Sequence, residues 1–397
     1  MRILVVDDTM ESRELLARYL RRWGHEVVMA NDGIEALEVL LAEPIPMVIT
    51  DWVMPRMDGV ELCRHIRSGI YPFYIYVIVV TAKDSKGELV TAMEEGADDY
   101  LAKPFDKNEL KVRVAAGVRI LKLEQSLAQR NESLDRAYSI IRKDLEAAGK
   151  LQRELLPQCG QCSAFLKFEW LFIPCTIVAG DTLHYLNLDE NHVGFFLLDV
   201  SGHGVPAAML SFTLMKTLSS LSFPGNPLLA YDQMQGVQGI REPSSVMDEL
   251  NRTFQADDEA MQYFTMIYGI IDQRDGRVRL TQAGHPPALH LPAEGPIKLV
   301  GNGGFPIGLY PKADYEQIEF SLKPGDRLFL FSDGITECTD AHEEQYSTQR
   351  LIECLEECRR LTLHQILERL EQRLRDWRGG GEFADDVTLL AIERLKP

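Results

Sequence analysis

The apolar positions of residues 1–118 come in short runs separated by amphipathic stretches. ILVV near the N-terminus, EVVMA, PMVIT and YIYVIVV are runs of a strand's length, and a shorter DYLAK follows them. Between them, ESRELLARYLRRW, GIEALEVLLA, GVELCRHIRS and KGELVTAMEEG place apolar residues at helical spacing, and a further helix is predicted from Asp106. Strands that stay apolar instead of alternating belong to a parallel sheet covered on both faces. Five β/α units of this kind predict a doubly wound α/β domain with a five-stranded parallel sheet.

From residue 119 to 156 the period becomes seven. Ile120, Leu127, Leu134, Ile141, Ala148 and Leu155 form one track, and Leu123, Arg130, Ala137, Asp144 and Leu151 form a second, three residues on. Together they read as an a/d seam with charges at most other positions. No proline interrupts the seam before Pro157, so a single helix of roughly 55 Å is predicted. A helix polar on most of its surface needs a partner for its apolar stripe. It either lies on its own chain or pairs with a second copy as a parallel coiled coil. The apolar d track favours the homodimer. Arg130 and Asp144 weaken the seam, as expected of a helix that shifts between states.

Beyond Pro157, strands come first: FLKFEWLFIP, TIVAGDTLHYLNL and HVGFFLLDV. A helix is predicted over 205–221. A long loop rich in Gly, Pro and Gln follows over 222–245. A helix then begins at Ser244, which is placed as its N-cap. YFTMIYGIID and RVRLTQAG read as a hairpin across RDG. The strand RLFLFSD, helices near 349–358 and 363–377, and a last strand DVTLLAIE complete the chain. This pattern predicts an α+β domain of two packed antiparallel sheets flanked by helices. The division expected is 1–118, 119–156 and 157–397.

Composition narrows the class. A chain of 397 residues with 45% hydrophobic and 26% charged residues is ordinary for two or three globular domains. It contains no apolar run long enough to span a membrane, and MRILVVDD reads as a strand instead of a signal peptide, so a cytoplasmic location is expected. The formal net charge of −18 and the lack of a helix-turn-helix candidate argue against nucleic acid as a partner. Seven cysteines are scattered along the chain, and the Cys159/Cys162 pair has no second pair at zinc spacing, so free thiols are expected.

In an open α/β sheet, ligands sit at the carboxyl ends of the strands. In the first block those ends carry Asp7, Asp8, Asp51, Thr81 and Lys103. Three converging carboxylates call for a hard cation such as Mg²⁺. A carboxylate beside that cation, faced by Lys103 and Thr81, is placed to accept a phosphoryl group. The block resembles a response-regulator receiver domain along its whole length, through the pair Asp7-Asp8, Asp51 in MVITDWVMPRMDG, Thr81-Ala82, and Lys103-Pro104 in YLAKPF. The resemblance implies phosphorylation of Asp51 by a sensor His kinase. It implies Mg²⁺ on Asp8, Asp51 and the Val53 carbonyl with Asp7 assisting, a switch through Thr81 and Tyr100, and a cis bond before Pro104.

In the last block Asp181, Asp199, Asp333 and the Asp385-Asp386 pair fall at strand ends or starts, several of them beside glycine. An aspartate that follows an apolar run is costly to bury alone. Oxygen ligands on rigid strand ends suit two Mn²⁺ or Mg²⁺ ions, which can lower the pKa of a shared water and aim it at phosphorus. LQRELLP, AGDTLHY, FFLLDVSGHGVPAAML, FTMIYGIID, QAGHPPAL, FPIGLY, LFSDGITE and DDVTLL resemble, in order, the SpoIIE-like branch of the metal-dependent (PPM) protein phosphatases. That resemblance implies catalytic metal ligation by Asp181, Asp199, Asp333 and Asp385 with the Val200 carbonyl, assisted by Asp386. His184 stands where many members have a second aspartate, which bears on metal preference. His203 and His285 read as structural and are not counted as catalytic.

The two resemblances together imply a response regulator with a serine/threonine phosphatase output, acting on a phosphorylated protein, an anti-sigma-factor antagonist being expected. The alternative is a noncatalytic adaptor whose phosphatase-like domain binds a sigma factor or another partner. Retention of the acidic set favours the enzyme.

Overall fold

The computed structural model describes residues 1–68, 71–82, 86–161, 163–221, 225–232, 237–255 and 262–396. They belong to two compact units, Met1–Ser139 and Ile140–Pro397.

The first unit runs β1 (Arg2–Val6), α1 (Met10–Arg22), β2 (Glu26–Ala30), α2 (Gly33–Ala42), β3 (Met47–Asp51), α3 (Gly59–Arg67), β4 (Tyr76–Thr81), α4 (Lys86–Glu94) and β5 (Asp99–Ala102). All strand pairs are parallel, in the order β2-β1-β3-β4-β5. The unbroken apolar runs divide between the two faces of the sheet. Leu4, Val6, Val48, Val77 and Val79 enter one core, and Ile3, Val5, Ile49, Ile78 and Val80 enter the other. Asp32 caps α2 by accepting from the Ile34 and Glu35 N–H groups, and Asp58 with Glu61 forms a capping box on α3.

The helix expected after Asp106 and the seven-residue repeat are one element, α5 (Lys107–Leu155). Its apolar track is exposed within the chain at Leu123, Leu127, Leu134, Ile141 and Leu151. At its C-terminal end Leu156 enters the core of the second unit.

The second unit continues with β6 (Gly160–Gln161), β7 (Leu166–Ile173), β8 (Thr182–Asn187), β9 (His192–Val200), α6 (Val205–Ser219), β10 (Leu229–Asp232), β11 (Val237–Ile240), α7 (Pro243–Thr253), β12 (Phe264–Asp272) and β13 (Arg277–Ala283). It ends with β14 (Ala288–Leu291), β15 (Lys298–Val300), β16 (Gln317–Ser321), β17 (Arg327–Phe331), α8 (Asp333–Thr336), α9 (Ser347–Glu357), α10 (Leu363–Arg378) and β18 (Val387–Arg394). Two antiparallel sheets, β16-β13-β12-β9-β8 and β15-β14-β17-β18-β7-β6, pack face to face. Alternation sets the layers: Leu328, Leu330, Leu390 and Ile392 point into the core shared with the other sheet. Phe329, Phe331, Leu389 and Ala391 point toward α9 and α10.

Three expectations are corrected. TIVAGD is not strand: β8 begins only at Thr182, because the N–H groups of Cys175, Gly180 and Asp181 go to the Asp386 carboxylate and that of Ala179 to Gln152. The loop expected over 222–245 contains the antiparallel pair β10-β11, with 222–224 and 233–236 outside the described residues. Ser244 is not an N-cap: Pro243 takes the first helical position, where its missing N–H costs nothing, and Glu242 precedes it. Cys159 is free, as are Cys63, Cys175, Cys338, Cys354 and Cys358, and Cys162 lies outside the described residues.

Candidate functional site

In the first unit, the ends of β1 and β3 bring Asp7, Asp8 and Asp51 together, with carboxylate oxygens within 4.8 Å of one another. Asp7 is buried and accepts from the Thr9 N–H at 2.9 Å. Lys103 reaches over from the end of β5 and bridges Asp7 and Asp51 at 3.0 and 3.1 Å. Burial raises the Asp51 pKa above its usual value, Lys103 works against the rise, and Asp7 adds to it. Burial opposes the charge on Lys103, yet its two carboxylate partners hold it above the usual lysine value. Gly59 permits the β3–α3 turn, since a Cβ there would lie 2.2 Å from the Asp51 carbonyl oxygen. Thr81 is buried at the end of β4, Tyr100 on β5 carries the Arg113 guanidinium 5.1 Å from its ring centre, and Val53 is exposed beside the cluster. The Lys103-Pro104 bond is cis.

In the second unit one end of the sandwich gathers carboxylates from both sheets. The register pairs Thr182 with Leu198, which places Asp181 across from Asp199. Phe331 pairs with Leu389, which sets Asp333 beside the Asp385-Asp386 entry to β18. Gly334 is needed for that approach, because a Cβ would stand 2.1 Å from the Asp386 carbonyl oxygen. Gly180 keeps the Val200 carbonyl uncovered, a Cβ there lying 3.1 Å from it.

The gathering shifts the electrostatics of its members. Burial and then Asp333, Asp385 and Asp386 push Asp199 up to about 7. Burial and Asp385 push Asp333 up to about 6. Asp181, only 1% exposed, is raised well above the usual range by burial and by Asp199 and Asp386. Its Oδ2 is buried with no hydrogen-bond partner. Among the described residues no lysine or arginine pairs with these five aspartates. Oxygen donors crowded in this way, with Asp181 and Asp386 buried and none of the five paired with a lysine or arginine among the described residues, fit a hard divalent cation.

Asp386 has a role that sequence reasoning missed. Its two oxygens accept from the N–H groups of Cys175 (2.8 Å), Gly180 (2.7 Å) and Asp181 (3.3 Å), so it orders the segment leading to Asp181. Cys175 also lies within the Asp385-Asp386 cluster. Burial and Asp386 push its thiol up to about 12, so it stays protonated. Only a contact across some two hundred residues reveals either fact.

His184 lies opposite Phe196 and stacks on its ring, with centroids 6.1 Å apart. Burial pulls its pKa down to about 4, so it is a neutral ring. His285 is likewise buried and lowered to about 4, with Nδ1 3.1 Å from the Pro286 carbonyl oxygen. His203 is exposed, and the rise of the Asp385 pKa from burial and Asp386 is opposed by the nearby His203.

Residues 3–115 match the family model of the response regulator receiver domain. Residues 189–395, more than half of the chain, match that of stage II sporulation protein E (SpoIIE). The chain belongs to the SpoIIE family. This SpoIIE-family chain carries its SpoIIE-matching unit behind a receiver domain. Over 127 residues it is 45% identical to the response regulator MprA of Mycobacterium ulcerans, a match that covers 32% of this chain and 54% of that protein. The chain thus spans about half the length of the curated relatives it matches. The SiaA-PP2C domain of Pseudomonas aeruginosa superposes with a TM-score of 0.54 at 21% identity, covering 66% of this chain and 99% of that domain, which shows a shared fold. Among the described residues no helix is long and apolar enough to cross a membrane.

Proposed function

We propose that the chain is a two-component response regulator whose output is hydrolysis of phosphoserine or phosphothreonine on a protein. Asp51 would take the phosphoryl group from a sensor His kinase. The phosphorus–nitrogen bond of the donor breaks as a bond to an Asp51 oxygen forms. Asp8, Asp51 and the Val53 carbonyl would hold Mg²⁺ there, with Asp7 assisting. Lys103 is already positioned to neutralise the incoming oxygens. Thr81 and Tyr100 would then report the modified state.

In the output domain, Asp181, Asp199, Asp333, Asp385 and the Val200 carbonyl would hold two Mn²⁺ or Mg²⁺ ions, with Asp386 keeping Asp181 in place. When bound, such ions supply Lewis acidity toward the phosphate and an activated water. The observation that carries this reading is the convergence of carboxylates from both sheets with no lysine or arginine partner among the described residues, and the Asp181 Oδ2 left without a hydrogen bond. The exposed a/d stripe of α5 supports a homodimer through residues 119–156, between a receiver domain over 1–118 and a phosphatase domain over 157–397. The substrate class proposed is a phosphorylated anti-sigma-factor antagonist, in the cytoplasm. The adaptor reading has only the exchange to His184 in its favour.

The test is phosphate release from a phosphoserine protein by the full chain with Mn²⁺, with and without acetyl phosphate to load Asp51. Release that changes with acetyl phosphate is expected. No release under any combination of metal and acetyl phosphate would favour the adaptor.

A further inference from the structure

The segment between β7 and β8 has no strand neighbour, yet it delivers Asp181 to the carboxylate cluster. Two side chains replace the missing ladder. On one side Asp386 accepts from the Cys175, Gly180 and Asp181 N–H groups. On the other stands Gln152, in the last turn of α5 and only 4% exposed. Its Nε2 donates to the Ala179 carbonyl at 2.8 Å, and its Oε1 accepts from the Ala179 N–H at 2.9 Å. A primary amide offers one donor and one acceptor side by side, as a neighbouring strand would. Ala179 is itself fully buried, so without Gln152 both of its backbone groups would lack a partner.

The same turn of helix approaches the segment closely. A Cβ on Gly149 would stand 2.3 Å from the Ile177 carbonyl oxygen. Around this contact Gln152, Leu155, Thr182, Ser211, Phe212 and Met215 line a narrow crevice, joining the end of α5 to β8 and to α6. The Ser211 hydroxyl donates to the Asp181 carbonyl at 3.4 Å. A shift of the α5 terminus along its axis therefore pulls on the Ala179 backbone, two residues from the Asp181 carboxylate.

We propose that Gln152 is a positioning residue for Asp181: its amide fixes the Ala179 backbone, so that the last turn of α5 sets how tightly the carboxylate cluster holds divalent cations. This rests on Asp181 being a metal ligand, as read above, but not on turnover. Partners one remove from a metal ligand typically contribute 10–100-fold to metal affinity.

The experiment measures Mn²⁺ binding directly, from loss of the free-ion electron paramagnetic resonance signal, in the full chain carrying Asp51→Asn to weaken the receiver site. Gln152→Leu should weaken Mn²⁺ binding by about 10–100-fold. At saturating Mn²⁺, turnover should return to within about threefold of its parent, a split that loss of fold would not produce. Should Gln152→Leu fail to fold, Gly149→Ala pushes the helix away from Ile177 and should weaken Mn²⁺ in the same direction. Unchanged Mn²⁺ affinity in either folded variant overturns the proposal, while a parent that still turns over leaves the phosphatase reading standing. A parent that binds Mn²⁺ but releases no phosphate removes the phosphatase reading, and Gln152 is then judged on binding alone.

Discussion

The chain carries two clusters of carboxylates at strand ends, and they differ in what balances their charge. In the receiver, Lys103 already sits between Asp7 and Asp51 at 3.0 and 3.1 Å. In the C-terminal unit, no lysine or arginine among the described residues pairs with Asp181, Asp199 or Asp333, and the pKa of Asp199 climbs to about 7. A resident ammonium offsets part of the charge of the first cluster, which on the proposed reading would let it exchange its ligands. The second has no lysine or arginine partner among the described residues, so on the proposed reading its ionised state would be balanced by bound cations.

Exchanging one carboxylate in each cluster should separate them most. Asp199→Asn should lower phosphate release by at least about 10²-fold, since metal-based charge stabilisation is worth several kcal/mol. It should also raise the melting temperature of the metal-free protein, because it removes one of several repelling charges. A wild-type rate in Asp199→Asn would remove the metal assignment. Asp51→Asn should abolish phosphorylation by acetyl phosphate while leaving Mn²⁺-dependent phosphatase activity measurable.

The response to pH is the next contrast. Asp199 at about 7 and Asp333 at about 6 bind protons more tightly in the folded state than in the unfolded state, where aspartate titrates near 3.9. Stability of the metal-free second unit should therefore fall as pH rises from about 4 to 7. Mn²⁺ needs the ionised carboxylates, so its stabilisation should be larger at pH 8 than at pH 5.5. Melting curves at both pH values, with and without Mn²⁺, check this. An equal Mn²⁺ shift at the two values would contradict the raised pKa values. The smallest effect concerns His184, a neutral ring stacked on Phe196: His184→Asn should change the rate by less than about threefold, whereas a collapse would give the imidazole a part in metal binding.

Much of this was legible in the sequence, for a physical reason. Asp199 directly follows the apolar run FFLL and Asp333 follows LFLF with one serine between, each with a glycine close behind, a local pattern that reports a strand end. The receiver strands announced burial on both faces in the same way. What escaped were contacts made at long range. TIVAG has the β-branched composition of a strand, yet its backbone is claimed by Asp386, more than two hundred residues away, and by Gln152. Cys175 reads as an isolated thiol until β18 brings Asp386 to it. In the stretch 222–245, turn-forming residues concealed the short β10-β11 pair. Ser244 suited an N-cap locally, but Pro243 is the first helical residue and the N-cap falls two residues earlier, at Glu242.

The most direct measurement is the number of Mn²⁺ ions bound by the full chain carrying Asp51→Asn, followed by titration calorimetry near pH 7. Two ions held at the C-terminal cluster are expected, with protons released as Asp199 and Asp333 ionise. Their loss on adding Asp199→Asn should follow. Absence of binding, or binding indifferent to Asp199, would contradict a metal-dependent output.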